Sequence, residues 1–142
     1  MMWFKAYELD EINQLFALNM TGLLGIRALA IHPESLVVEM PVTDKVKQPY
    51  GLLHGGASVV LAESAGSIAS YMAIDPEKWQ AVGLEINANH IRPVTKGHVL
   101  GTCRALHIGK TTHVWDIQIH NERKQLVCAA RLTTAIIKKV SH

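Results

Sequence analysis

Glu63, Ser64 and Ser67 stand inside a long apolar run, and Gln48, His54, Gly55 and Gly56 stand just ahead of it. Residues four apart on a helix share a face, with Cβ atoms about 6 Å apart, so the side chains of Glu63 and Ser67 meet. Ser64 lies on the adjacent flank and Ser70 one turn beyond Ser67. A carboxylate beside a hydroxyl on a buried helix can hold a water and deprotonate it. An ionised side chain in such surroundings is costly unless it is partnered or working. Spacing alone leaves two readings open: a reacting acid, or an acid that caps a backbone group or pairs with a base such as Arg92 or Lys47. Gly55-Gly56 bears on the choice. The first N–H groups of a helix are unpaired and carry the positive end of its dipole, and glycine lets a ligand oxygen approach them. A donor there suits the developing oxyanion of acyl transfer. A glycine-rich entry selected for packing is the plainer alternative. Phosphate binding is a weaker third, since neither a P-loop nor GxGxxG is present. His54 can polarise a carbonyl, and Gln48 can donate one bond and accept another.

These side chains need a loop and a helix to hold them. Pro49 and Gly51 mark the loop. From Gly55 to Ala73 the residues are apolar nearly all round, which predicts a helix of about 19 residues, about 28 Å long and buried on most faces. Leu9 to Leu18 carries Leu9, Ile12, Leu15 and Phe16 at helical spacing, and Gly22 and Gly25 are expected to end that region. Gly25 to Ile31 and Leu36 to Val42 read as strands joined by the turn His32-Pro33-Glu34-Ser35. After the turn at Asp75-Pro76-Glu77-Lys78 the period becomes two, predicting strands over Ala81 to Arg92, Gly97 to Ile108, His113 to His120 and Leu126 to Ile137. Consecutive strands with short turns are expected to be antiparallel. The long helix has more apolar sides than one sheet can cover, which suggests a partner subunit.

The chain has 142 residues, 49% hydrophobic and 18% charged, with a net charge of +2. One domain spanning residues 1–142 is expected, with no electrostatic case for nucleic acid. Cys103 and Cys128 form no CxxC pair and read as reduced, packed thiols. No secretory signal opens the chain, and no apolar run approaches the ~20 residues needed to cross a bilayer, so a cytoplasmic protein is expected. A metal site is disfavoured, because HxxxH and CxxC are absent and Glu63, His54 and His90 lack ligand spacing. The missing GxSxG elbow disfavours a serine nucleophile.

The run from Gln48 through His54-Gly55-Gly56 to Glu63-Ser64 and Ser67 resembles the hotdog-fold acyl-CoA thioesterases. Further matching blocks extend over almost the whole chain: Trp3, Met40-Pro41-Val42, Val82 to His90, Leu106-His107-Ile108-Gly109 and Arg131 to Ala135. The resemblance implies an α+β hotdog fold, an antiparallel sheet wrapped around one long central helix. It also implies sites formed between subunits of a homotetramer built as a dimer of dimers. Glu63 would be the general base or nucleophile, and the Gly55 N–H would polarise the thioester carbonyl. Gln48 and His54 would align the thioester from the subunit opposite Glu63. Ser67 would hold the water and Ser64 would support the cluster. Contacts to coenzyme A, which is part of the substrate and not a separate cofactor, would fall on Gly83, His90, Ile91, Arg92 and Pro93, and on His107, Ile108, Gly109, Lys110, Thr111 and Thr112. Arg92 and Lys110 suit its phosphates on charge grounds. Ile68 and Tyr71 would tune the acyl pocket. The implied substrate is an aromatic acyl-CoA of the hydroxybenzoyl or dihydroxynaphthoyl type, with a place in menaquinone synthesis. The same architecture also admits a hydro-lyase using His54 and Glu63, or a non-catalytic acyl-CoA-binding module.

Overall fold

The computed structural model describes residues 2–140. Two short helices, α1 (Leu9–Phe16) and α2 (Asn19–Leu24), precede strands β1 (Arg27–His32) and β2 (Ser35–Pro41). A 3-10 turn over Asp44–Val46 leads to the long helix α3 (Gly55–Ala73). Strands β3 (Trp79–His90), β4 (His98–Ile108), β5 (Thr112–His120) and β6 (Leu126–Lys138) follow. All six strands form one antiparallel sheet in the order β1-β2-β4-β5-β6-β3, and α3 packs against β2 to β6. This is the wrapped-helix arrangement that the resemblance implies.

Local chemistry fixes the ends of α3. His54 is its N-cap, and Ile74 leaves the helix in extended conformation, just before Asp75-Pro76, where proline disfavours helical angles at the preceding residue. Within the helix Ala57, Leu61, Ala62, Ala65, Ala69 and Met72 are buried. Gly66 allows the helix to lie close on β6, because a Cβ there would sit 2.5 Å from Cδ2 of Leu132. Trp115, Ile117, Ile119 and Leu132 face the helix side of the core with Leu36, Val38 and Met40. Trp3 stacks on Trp115 with ring centroids 6.3 Å apart, and its indole N–H donates to the carbonyl of His32 at 2.7 Å. Both cysteines are free and buried. Burial raises both thiols above the ordinary range, and Asp116 adds to the effect at Cys103.

Three expectations need correction. Gly22 does not end the first helical region but lies within α2. It is glycine because a Cβ would meet the carbonyl oxygen of Ala17 at 2.0 Å, so close packing and not termination selects it. Gly25, at φ 74°, is the true stop. Second, β3 is not the neighbour of β4: it pairs with β6, while β4 pairs with β2. The segment 91–97 carries the chain from the β3 edge past β6 and β5 to β4 in the interior of the sheet. Third, the alternation of β3 is broken at Leu84, where Gly83 pairs with Thr134 and Glu85 with Thr133.

The two sheet edges differ. Asn13 of α1 covers β1, its amide donating to the Ala28 carbonyl at 2.9 Å and accepting from the Ala28 N–H at 2.7 Å. The β3 edge has no such cover among the described residues, and an exposed edge of this length is a template for pairing with another strand.

Candidate active site

The loop before α3 is held from both sides: Leu53 N–H donates to Val94 and His54 N–H to Val46, at 2.7 and 2.8 Å. At the start of α3 the orphan donors are then shared out. Ala57 and Ser58 N–H donate to the His54 carbonyl, and Gly56 N–H donates to Nδ1 of His54 at 2.8 Å. Gly55 N–H alone among these has no partner among the described residues. It is the free donor at the positive end of a 19-residue helix, where a developing negative charge is stabilised. With Nδ1 accepting, neutral His54 carries its proton on Nε2, a donor left to face outward.

Gly55 opens onto a cleft of about 330 Å³ shared by Gln48, Leu53, Ser58, His90 and Arg92. The His90 ring lies across Gly55, its Nε2 only 2.8 Å from where a Cβ would be. Gln48 turns its side-chain oxygen back onto the N–H of Tyr50, which fixes the amide and leaves its NH₂ group to donate. The sequence-predicted grouping of Gln48, His54, Gly55 and His90 to Pro93 is therefore brought together at one helix end.

Glu63 stands elsewhere. It is the one charged residue of α3 and lies on a half-buried stripe with Val60, Ser64, Ser67, Ile68 and Tyr71. Both bases that could have neutralised it are engaged: Lys47 pairs with Asp44 at 3.4 Å, and Arg92 donates to the Leu126 carbonyl at 2.8 Å. Glu63 has no ion pair or hydrogen-bonded side chain among the described residues. Its carboxylate rests against the backbone of Gly83, whose Cβ, if present, would lie 2.6 Å from Oε2.

The positions suggested for coenzyme A divide into two groups. His90 to Pro93 lie at the N-terminal end of α3. Ile108 to Thr111 lie at its C-terminal end, around a largely apolar cleft of about 410 Å³ with Ala73 and Trp79. Arg92 and Lys110 are thus separated by the length of the helix, about 28 Å, and one chain cannot bring both to the same phosphate.

Two features escaped the sequence reading. Lys96, Asn121 and Arg123 join Arg92 around a polar cleft of about 350 Å³ beside the first; basic residues on segments so far apart in sequence carry no local signal of proximity. The other is a buried polar cluster. Ser70 Oγ accepts from the Trp115 indole N–H at 2.7 Å and hydrogen-bonds His113 Nδ1 and Thr134 Oγ1, both at 2.9 Å. Burial holds His113 below the usual histidine range, with His107 adding to the effect.

Residues 50–128 match the model of the thioesterase superfamily. The 1,4-dihydroxy-2-naphthoyl-CoA hydrolase of Escherichia coli is 49% identical over 137 residues, 96% of this chain and 100% of that protein. The protein of the same name from Listeria monocytogenes is 47% identical over 116 residues, 82% of this chain and 94% of its own. A crystal structure of a mutant thioesterase from Pseudomonas aeruginosa superposes with a TM-score of 0.96 at 46% identity, covering 98% of this chain and 100% of that one. The sheet wrapped on α3 is accordingly a hotdog fold, and the chain belongs to the thioesterase superfamily, whose chemistry is thioester hydrolysis.

Proposed function

We propose that this protein hydrolyses aromatic acyl-CoA thioesters, with 1,4-dihydroxy-2-naphthoyl-CoA or a related hydroxybenzoyl-type ester as substrate and menaquinone synthesis as its setting. One observation carries the reading: α3 holds two unmet groups of complementary use, the Gly55 N–H and the Glu63 carboxylate. The names of the relatives from Escherichia coli and Listeria monocytogenes support the acyl group.

The two groups are eight residues apart, about 12 Å along the axis, too far to act on one carbonyl. A second copy resolves the distance by placing its Glu63 opposite the Gly55 of the first. The uncovered β3 edge supplies a surface for that pairing. In such a site the Gly55 N–H polarises the thioester carbonyl while Gln48 and His54 align it. Glu63 removes a proton from a water held by Ser67, with Ser64 in support. Hydroxide adds to the carbonyl carbon, the oxyanion rests on Gly55, and the C–S bond breaks as the proton passes from Glu63 to the coenzyme A sulfur. If Glu63 is instead the nucleophile, its oxygen forms the new bond, coenzyme A leaves, and water cleaves the resulting anhydride.

A thiol-release screen over naphthoyl, hydroxybenzoyl, phenylacetyl and straight-chain CoA esters tests the substrate class. Glu63→Gln lowers kcat by about 10²- to 10⁴-fold, the usual contribution of a positioned acid–base group, with unfolding unchanged. An undiminished rate on every ester rejects the reading. Single turnover in labelled water, followed by mass analysis of the peptide carrying Glu63, separates base from nucleophile.

A further inference from the structure

Gly83 lies on β3, 20 positions beyond Glu63 in sequence, and no turn or positive φ requires a glycine there. What requires it is the carboxylate. A Cβ at this position would stand 2.6 Å from Oε2 and 3.7 Å from Cδ of Glu63. The bulge at Leu84 begins at this residue, and bulges re-aim the backbone beside functional groups.

Gly83 is also the outer member of a rung of the sheet. It pairs with Thr134 on β6, and Thr134 pairs with His113 on β5. Thr134 and His113 are two of the three residues whose side chains hydrogen-bond Ser70, Trp115 being the third. Ser70 is seven residues beyond Glu63, about 10 Å along α3. Two strand spacings from β3 to β5 are also about 10 Å. The helix is therefore laid across this rung and anchored at two points, by the Ser70 cluster at one and by the contact of Glu63 with bare backbone at the other.

We propose that Gly83 is a positioning residue for the reaction: its missing side chain defines where the Glu63 carboxylate sits, and the Ser70–Thr134–His113 cluster holds α3 to the same rung so that this place is fixed. The proposal rests on the reading of Glu63 as the reacting carboxylate. It gives Gly83 a different role from a coenzyme A contact, and the two roles make opposite predictions. The atom that a methyl group would strike is the tip of a flexible, half-buried side chain. Gly83→Ala therefore swings the carboxylate aside without disturbing the fold, and the effect falls on turnover.

The test measures kcat and KM separately with 1,4-dihydroxy-2-naphthoyl-CoA and 4-hydroxybenzoyl-CoA. Gly83→Ala lowers kcat by about 100-fold, the penalty for a reacting group displaced by an ångström, while KM and the unfolding midpoint hold. In a Glu63→Gln background the same substitution costs nothing further, because the base is already lost. Ser70→Ala, which leaves the substrate-facing surface intact, lowers kcat by a smaller factor at constant KM, and it decides the matter if Gly83→Ala does not fold. A raised KM at unchanged kcat, an unaltered Gly83→Ala enzyme, or an undiminished Gly83→Ala penalty in the Glu63→Gln background overturns the proposal. Should Glu63→Gln itself leave the rate intact, the functional reading fails first, and that result is distinct.

Discussion

The two halves of α3 treat polar groups in opposite ways. In the first half the Gly55 N–H and Glu63 have no partner among the described residues, while Lys47 is tied to Asp44 and Arg92 to the Leu126 carbonyl. In the second half Ser70 Oγ is bonded to three side chains. Buried polar groups are ordinarily paired, and departures call for a reason. Here the departures gather where an oxyanion and a proton would have to be handled, and full satisfaction gathers where the helix is fastened to the sheet. On the proposed reading of Glu63, rigidity at one end makes the unmet groups usable at the other, since a reacting acid is useful only in a defined place.

The sharpest way to break this contrast is to delete the free donor. Gly55→Pro removes the N–H at the first helical position, where proline is well tolerated. The added carbon meets the His90 ring, 2.8 Å away and free to swing outward, so His90→Ala serves as the control. The expected loss in kcat is about 10²- to 10³-fold, that of one oxyanion donor, with the far-ultraviolet circular dichroism unchanged. Retained turnover would place the carbonyl elsewhere.

A smaller effect probes the fastened end. Burial holds folded His113 below its ordinary value of 6.5, so the unfolded chain takes up a proton that the folded chain refuses. The contribution is fully present above pH about 6.5 and is lost as pH falls from there towards the depressed folded value, at up to about 1.4 kcal/mol per pH unit. His113→Asn, which keeps a group for Ser70 but does not titrate, removes that slope in urea unfolding between pH 7 and 5. An unchanged slope would show that other groups set the acid limb.

The smallest effect concerns Tyr7, whose ring lies 6.1 Å from that of Tyr71. Its hydroxyl is buried without a partner among the described residues, and burial raises its pKa. Because an unmet buried hydroxyl is a net cost, Tyr7→Phe stabilises the fold by about 1 kcal/mol, read as a raised unfolding midpoint. Destabilisation would mean that the hydroxyl finds a partner in the assembled protein.

How much of this was legible in the sequence follows from range. Both ends of α3 were, because His54-Gly55-Gly56 and Asp75-Pro76 act within a turn. The shared stripe of Glu63, Ser67 and Tyr71 follows from helical periodicity alone. The β4-β5-β6 meander follows from short turns. By contrast, the pairing of β3 with β6 depends on how the sheet closes over α3, and no residue near β3 encodes it. The contact between Glu63 and Gly83 and the cluster at Ser70 inherit that dependence, since each joins the helix to strands far along the chain. Gly22 misled because a glycine that admits a neighbouring backbone looks in sequence like one that stops a helix.

The stacking of Trp3 on Trp115 makes the fastened end of α3 optically visible. Of the three tryptophans in the chain, these two share the dry interior, and one donates its indole N–H to Ser70, while Trp79 is 38% exposed. Emission from the buried pair should shift when the Ser70 bond is lost, and a soluble quencher should silence Trp79 first. Intrinsic fluorescence therefore offers a label-free gauge of whether the helix is still anchored, even while turnover is being measured at its opposite end.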